Sequence, residues 1–379
     1  MLKKAKMTSV VLIDAGRSAV IPDDPDLPET PTRLTEDVIA ALLRRTSLDS
    51  SEVGELYLAD PRCLPTGCST GPAGWSVDPP PLGLTTTVNA TSSLSVAQAV
   101  RAIEKNPEVV AVVAGCDFGT GWTGAATASS RQQQTAQLVA AWWDIAPEEM
   151  AGWARGSYSR SAECSAAGDF ADEIVATTGD YVADRFRKPD VGDALSGGVP
   201  EYGFDGACRA HPARGASAIL LASEPKATAL GLEFRARLHA TGVIRAGAEF
   251  GIAPLGSEIF GELLAPCGLT VGCLDQLEVP EQFAVTPVAW MKETGISEYL
   301  VNPRGGDLAF GHLPRSGHLR SLVTMLNSLE ATGGLAGALV SSDVHRSTAF
   351  VLTLADSIAP KGWQDISPAV PAPVKKEKK

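Results

Sequence analysis

The stretch of sequence that decides the fold is Val301–His312, which reads VNPRGGDLAFGH. It combines the glycine pair Gly305-Gly306 with a Gly-His pair at its end. Residues 274–279, ahead of it, are typical of a strand, and residues 316–332, behind it, have the apolar spacing of a helix. The stretch therefore predicts a glycine-rich connection that ends in a histidine and leads into a long helix.

Strand and helix patterns alternate on both sides of this stretch. We expect strands at 9–14, 55–58, 109–114, 216–223, 233–241, 274–279, 335–341 and 348–354. We expect helices at 35–45 (with Thr35 as the N-cap), 93–104, 135–144, 148–167, 256–266, 281–294 and 316–332. Such alternation predicts an α/β architecture. It is built of two similar halves, with an insertion in the first.

The predicted domain boundaries follow from these patterns. Residues 1–116 and 205–230 form the N-terminal half, 117–204 the insertion, and 231–358 the C-terminal half. Residues 359–379, rich in proline and ending in lysines, form a disordered tail.

Composition narrows the function classes. The chain has 379 residues, 44% of them hydrophobic, and a net charge of -12. This negative charge disfavours nucleic-acid binding. No apolar run is long enough for a membrane span, and no signal peptide is evident, so we expect a cytoplasmic protein.

The seven cysteines are scattered, and the Cys63/Cys68 spacing lacks a second pair, so we expect neither disulfides nor a metal.

Several motifs together resemble the thiolase superfamily, the acetyl-CoA acetyltransferases among them. Val301–His312 resembles the family's VNxxGGxxAxGH segment, and Leu277–Ala284 (LEVPEQFA) resembles its FEINEAFA. Thr87–Ser93 resembles its nucleophile turn, TVNxxCSSG. Gly168–Ile174 resembles GRFDDEI, and Leu322–Gly334 the helix after the histidine. The resemblance covers about 350 residues in the right order. It implies a five-layered αβαβα fold and a homodimer or a larger oligomer.

The catalytic positions implied by the resemblance depart from the family. The acyl-carrying cysteine falls on Ser92 and the second cysteine on Ser341, whereas the histidine is kept as His312. A serine hydroxyl ionises far less easily than a thiol and needs a positioned base. Ser341 cannot remove an α-proton unaided. We therefore do not expect normal carbon–carbon chemistry.

The predicted substrate-binding positions are Pro280, Gly311 and Ala210. Pro280 stands where the family has an asparagine that holds a catalytic water, and proline has no side-chain donor or acceptor. Ala210 stands where a serine contacts pantetheine. The resemblance nevertheless implies an acyl thioester of CoA or of a carrier protein as substrate, with no further cofactor.

The residues left suggest a Ser–His–Asp acyltransferase or hydrolase. Ser92 would be the nucleophile, His312 the base, and Asp343 the residue that orients it, with His345 as an alternative base. Such an acyl transfer would suit secondary metabolism.

Two other functions stay open. One is a silent thiolase-like subunit that partners another thiolase or a small OB-fold protein. The other is an aldolase-type relative that relies on other acid–base residues, of which Tyr299 lies closest to the mapped motifs.

Overall fold

The structure is a computed structural model that describes residues 9–23, 31–59, 85–89, 91–118, 130–177, 183–186, 208–244, 257–342 and 347–355. Its strands are β1 Val10–Arg17, β2 Ile21–Pro22, β3 Glu55–Ala59, β4 Thr85–Asn89, β5 Val110–Phe118, β6 Ala213–Ser223, β7 Ala236–Ile244, β8 Gln276–Glu278, β9 Ala336–Ser342 and β10 Ser347–Leu354. Its α-helices are α1 Pro31–Thr46, α2 Ser92–Lys105, α3 Ser130–Trp142, α4 Pro147–Ala167, α5 Glu224–Ala229, α6 Ser257–Leu264, α7 Val285–Thr294, α8 Asp307–Phe310 and α9 Gly317–Thr332.

The strands of the two halves follow the same order and directions. In the first half the order is β4-β3-β5-β6-β1, with β3 parallel to its two neighbours and the remaining pairs antiparallel. In the second half it is β8-β9-β10-β7, with β8 parallel to β9 and the remaining pairs antiparallel. A parallel bridge from Leu277 to Val301 occupies the place that β4 has in the first half. The predicted two similar halves are therefore present.

The two half-sheets join through a short antiparallel pairing of β1 and β7, in which Val10 lies opposite Leu238 and Leu12 opposite Ala236. This pairing makes one continuous ten-stranded sheet.

Alternating side chains of the strands pack into separate layers. Along β5, Val110 and Val112 contact the cluster under α1, whereas Ala111 and Val113 contact the cluster around α2 and α9. Along β10, Phe350 contacts the same central cluster. The opposite face of β10 contacts the cluster that holds α6 and α7. This period of two gives the order helix, sheet, helix, sheet, helix. The predicted five-layered arrangement is thus confirmed.

The helix starts differ from the sequence prediction at α3, which begins at Ser130 and not at 135, at α7, which begins at Val285 and not at 281, and at α1. This helix begins at Pro31, so Thr35 lies inside it, and the N-cap prediction is wrong. Proline is favoured in the first turn because its missing N–H has no partner there in any helix. The apolar spacing that located the helix begins only at Val38.

The helices of the predicted insertion pack against the second half. The indole Nε1 of Trp153 in α4 donates to Glu281 at 3.0 Å, and Trp143 Nε1, just after α3, donates to Glu293 at 3.2 Å. The exact domain boundaries stay a prediction. No helix within the described ranges is both long and apolar enough to cross a membrane.

Candidate active site

Ser92 is the first residue of α2, the helix that follows β4. Its backbone N–H donates to Arg315 O at 2.9 Å. Its side chain is fully buried, and its Oγ has no hydrogen-bond partner among the described residues. Asn89, at the end of β4, donates from Nδ2 to Ser95 Oγ at 3.1 Å and to Gln98 Oε1 at 3.0 Å. These bonds fix the strand end against the helix that carries Ser92.

His312 lies in the segment between α8 and α9. Its N–H donates to His211 O at 2.6 Å, and its carbonyl accepts from Ala213 N at 3.3 Å. The imidazole is half-buried, and its Nδ1 has no partner in the described part of the chain. Burial lowers the pKa of His312, the Asp307 carboxylate opposes this, and the Arg209 guanidinium adds to it. The imidazole is therefore neutral near pH 7 and can accept a proton.

Gly311 has a backbone conformation and a close contact that require glycine. Its φ is +101°, a region that other residues rarely adopt. A Cβ at this position would lie 2.4 Å from Ala213 Cβ and 3.0 Å from His211 Nε2. This glycine lets the Gly-His segment lie directly against the strand that begins at Ala213.

Asp117, near the end of β5, holds the loop after His312 in place. Its carboxylate accepts from Ser316 N and Ser316 Oγ, both at 2.8 Å, and from Arg315 N at 3.2 Å. Burial raises the pKa of Asp117 to about 6, although these hydrogen bonds oppose the shift. The carbonyl oxygen of Arg315 also accepts from Ser92 N. This loop therefore connects the start of α2 to the His312 segment.

Pro280 follows β8 and is half-buried. Its neighbour Glu281 is fully buried and accepts from Ser157 Oγ and Asn302 Nδ2, both at 2.7 Å. Two residues before Pro280, burial raises the pKa of the Glu278 carboxyl group to about 8. The site therefore has buried carboxyl groups on both sides of Pro280, but Pro280 itself offers no side-chain hydrogen bond.

The remaining predicted positions are distributed as follows. Ala210 is buried, and its N–H donates to Gln282 O at 3.0 Å, which places it beside the segment that contains Pro280. Ser341 lies in β9 opposite Thr348 of β10. Asp343 and His345 lie outside the described residues, so their roles stay predictions.

Three residues near the site were not identified from the sequence: Arg209, His211 and Asp117. Arg209 and His211 lie in the stretch that resembles the family's pantetheine-binding segment, but that resemblance gives no role to an arginine or a histidine. Asp117 was read as the start of the insertion, because only the final strand order shows that β5 ends against the loop before α9.

No group of three or more His, Cys, Asp or Glu side chains within the described ranges is arranged to hold a metal ion.

The comparisons with known proteins agree with this fold. A model of the thiolase C-terminal domain matches residues 234–351. A steroid 3-ketoacyl-CoA thiolase of Mycobacterium tuberculosis is 32% identical over 213 residues, covering 54% of this chain and 52% of that protein. An acetyl-CoA acetyltransferase of Chromobacterium violaceum is 35% identical over 219 residues, covering 54% and 55%. The matched part thus spans about half the length of these relatives.

Solved structures match over a longer stretch. The crystal structure of the Bacillus anthracis acetyl-CoA acetyltransferase has a TM-score of 0.77 at 20% identity, covering 92% of this chain and 99% of that one. Human mitochondrial 3-ketoacyl-CoA thiolase also has a TM-score of 0.77, at 18% identity. At such identities the likeness shows the fold alone. Taken with the sequence matches, it places the chain in the thiolase superfamily.

Proposed function

We propose that this protein is an acyltransferase that acts on acyl thioesters of CoA or of a carrier protein, with Ser92 as the acyl acceptor and His312 as the base. The observation that carries the proposal is a pair of polar atoms without partners. Ser92 Oγ and His312 Nδ1 both lack a hydrogen bond in the described part of the chain. Buried polar atoms normally find partners, so two such atoms on segments joined through Arg315 favour a binding site for a reacting group.

The proposed first step transfers the acyl group to the enzyme. His312 takes the proton of the Ser92 hydroxyl while Oγ forms a bond to the thioester carbonyl carbon. The carbon–sulfur bond then breaks, and the departing sulfur takes the proton from the imidazolium. The products are an ester on Ser92 and a free thiol. In the second step an alcohol, an amine or water gives its proton to His312 and attacks the ester, and Ser92 Oγ regains a proton.

The start of α2 supports this step electrostatically. Thr91 occupies the N-cap but makes no side-chain capping bond. The positive end of the helix dipole thus remains available to stabilise negative charge that develops at the carbonyl oxygen. The low pKa of His312 keeps its imidazole in the form that accepts a proton.

The same residues do not support carbon–carbon bond formation. That reaction needs a base at the α-carbon and a stabilised enolate oxygen. A serine at position 341 is a poor base, and Pro280 supplies no hydrogen bond from its side chain. We therefore expect the acyl group to pass to oxygen or nitrogen.

Mass spectrometry of the protein and of its proteolytic peptides tests the proposal. After incubation with acyl-CoA or an acylated carrier protein, the protein should gain the acyl mass on the peptide that contains Ser92. Ser92→Ala should remove the adduct, and His312→Gln should slow its formation by about 100-fold or more. His239→Gln is the matched control, because His239 lies in β7 with its Nε2 2.5 Å from Thr353 Oγ1. Lack of an adduct with every thioester would overturn the proposal.

A silent subunit is the second candidate, and exposed apolar side chains favour it. Leu138 and Trp142 lie one turn apart on α3 and are 53% and 74% exposed. Large exposed apolar groups are common at protein interfaces. This candidate predicts no adduct, together with a stable complex with a second thiolase or an OB-fold protein in size-exclusion chromatography. A homodimer without a partner would contradict it.

An aldolase-type reaction has less support. Tyr299 is 80% exposed, whereas an acid–base tyrosine needs a site that excludes water.

A further inference from the structure

Arg209 differs from the other buried or half-buried arginines in its contacts. It is half-buried, but it makes no hydrogen bond or ion pair within the described ranges. Elsewhere such arginines bind acceptors: Arg17 binds Glu173 and Asp184, Arg214 binds Asp23, Arg304 binds Asp169 O, and Arg320 binds Asp307. The guanidinium nitrogens of Arg209 are not among the fully buried unpartnered atoms, so a ligand can reach them.

The electrostatic surroundings of Arg209 also indicate that it has no acidic partner. Burial lowers the pKa of Arg209, and no carboxylate counteracts the shift. A guanidinium nevertheless keeps its charge in a protein. Arg209 is therefore a cation with no acidic partner among the described residues, in a chain whose net charge is -12. An anionic ligand would supply such a partner.

Arg209 lies close to the catalytic histidine. Its backbone forms an antiparallel bridge with Phe283, and it precedes His211 by two residues. The His211 carbonyl accepts from His312 N at 2.6 Å. The charge of Arg209 also acts on the imidazole of His312. Arg209 therefore belongs to the end of the site where the acyl group would react.

This position distinguishes the possible sources of the anion. In an acyl-CoA or a carrier-bound thioester, the extended pantetheine arm separates the sulfur from the nearest phosphate. An anion beside His312 therefore belongs to the acyl group, not to the phosphates. A carboxylate matches the planar fork of a guanidinium, with two parallel hydrogen bonds.

We propose that Arg209 binds a carboxylate at the far end of the acyl chain, so that the site takes thioesters of dicarboxylic acids. This substrate class rests on the proposed function, because it assumes that an acyl thioester occupies the site. Arg209 would be a specificity residue that holds the distal carboxylate while the thioester carbon faces Ser92.

A binding measurement tests this proposal separately from catalysis. The protein used is the full chain with Ser92→Ala, which cannot form the ester. The probes are two acyl-pantetheines of equal chain length, one ending in a carboxylate and one in a methyl group. Neither probe carries a phosphate. Calorimetry should show that the carboxylate probe binds more tightly by on the order of 30-fold.

Substitutions at Arg209 then identify the residue responsible. Adding Arg209→Gln should bring the ratio of the two affinities close to one, and Arg209→Lys should restore part of the preference because it keeps the charge. Arg155→Gln is the matched control, since Arg155 is exposed on α4, and it should leave the ratio unchanged. Unfolding curves of each variant establish that the fold is intact.

Several outcomes would overturn the proposal. Equal affinity for both probes, no binding of either probe, or a preference that survives Arg209→Gln would each do so. A carboxylate preference in this assay, combined with no Ser92 adduct in the wild type, would have two consequences. Arg209 would stand as a carboxylate-binding residue, and only the proposed acyl transfer to Ser92 would be refuted.

Discussion

The two central helices, α2 and α9, occupy matching places between the half-sheets but begin differently. At the start of α9, Asp117 accepts hydrogen bonds from the backbone N–H groups of Arg315 and Ser316. At the start of α2, Thr91 makes no capping bond, and the Ser92 hydroxyl has no partner in the described residues. A carboxylate thus fixes the loop that enters α9, whereas the start of α2 is held by a backbone bond from Ser92 N to Arg315 O and keeps a hydroxyl without a partner. The difference shows that two halves of one fold hold the starts of their central helices in different ways.

Among these variants, a substitution at Gly311, in the segment before α9, should lower the free energy of unfolding most. Gly311→Ala would place a methyl group 2.4 Å from Ala213 Cβ in a backbone region that favours glycine. We expect a loss of about 2–4 kcal/mol in the free energy of unfolding, measured in urea. Gly317→Ala is the control, because its Cβ would lie 3.5 Å from Leu313 Cβ, an ordinary contact. Equal stability of the two variants would mean that the segment is not held tightly.

Removal of the carboxylate at the start of α9 should have the next largest effect. Asp117→Ala leaves buried N–H groups without an acceptor, and we expect a loss of about 2–3 kcal/mol in urea unfolding. Asp49→Ala also removes a capping carboxylate, but Asp49 is exposed, so water replaces it and the loss should stay below about 1 kcal/mol. If Asp117→Ala lost no more unfolding free energy than Asp49→Ala, Asp117 would not be what holds the start of α9.

The pH dependence of stability should reveal the burial of Asp117. Its folded pKa of about 6 lies above its unfolded value, so the folded state binds the proton more tightly. The wild type should therefore lose stability as the pH rises from about 4 to 6, by up to about 2 kcal/mol relative to Asp117→Asn. Above about pH 7 the difference should be constant. A difference that grows in favour of the wild type over this range would contradict the raised pKa.

Ser92→Ala should have the smallest effect on stability. Because the hydroxyl is buried without a partner, its removal should change the free energy of unfolding by less than about 0.5 kcal/mol or raise it slightly. The same variant should lose acyl labelling entirely. A loss of about 2 kcal/mol or more would show that the hydroxyl has a structural partner, and the start of α2 would then resemble that of α9.

Local periodicity predicted most strands and helices of the fold, whereas the five layers were implied by the resemblance to the thiolase superfamily. The spacing in 316–332 identified α9 nearly to the residue, and the apolar run at 109–114 located β5, which continues to Phe118. The start of α1 was missed because Pro31 precedes the first apolar position that marks the helix.

The site was harder to predict. The positions of Ser92 and His312 came from motifs, but the contacts around them depend on strand order. Asp117 comes about 200 residues before the loop that it caps, and no local pattern joins the two. Likewise, Arg209 is a lone arginine in the sequence, and only the pairing of its segment with His312 and Phe283 places it beside the His312 segment.

The pairing of β1 with both β6 and β7 has a consequence during synthesis. β1 leaves the ribosome long before Ala213–Ile244, the region that supplies both of its partners. Until then an apolar strand exposes unpaired N–H and C=O groups on two edges, the condition in which nascent chains aggregate. The central part of the sheet therefore cannot form until Ala213–Ile244 has been synthesised.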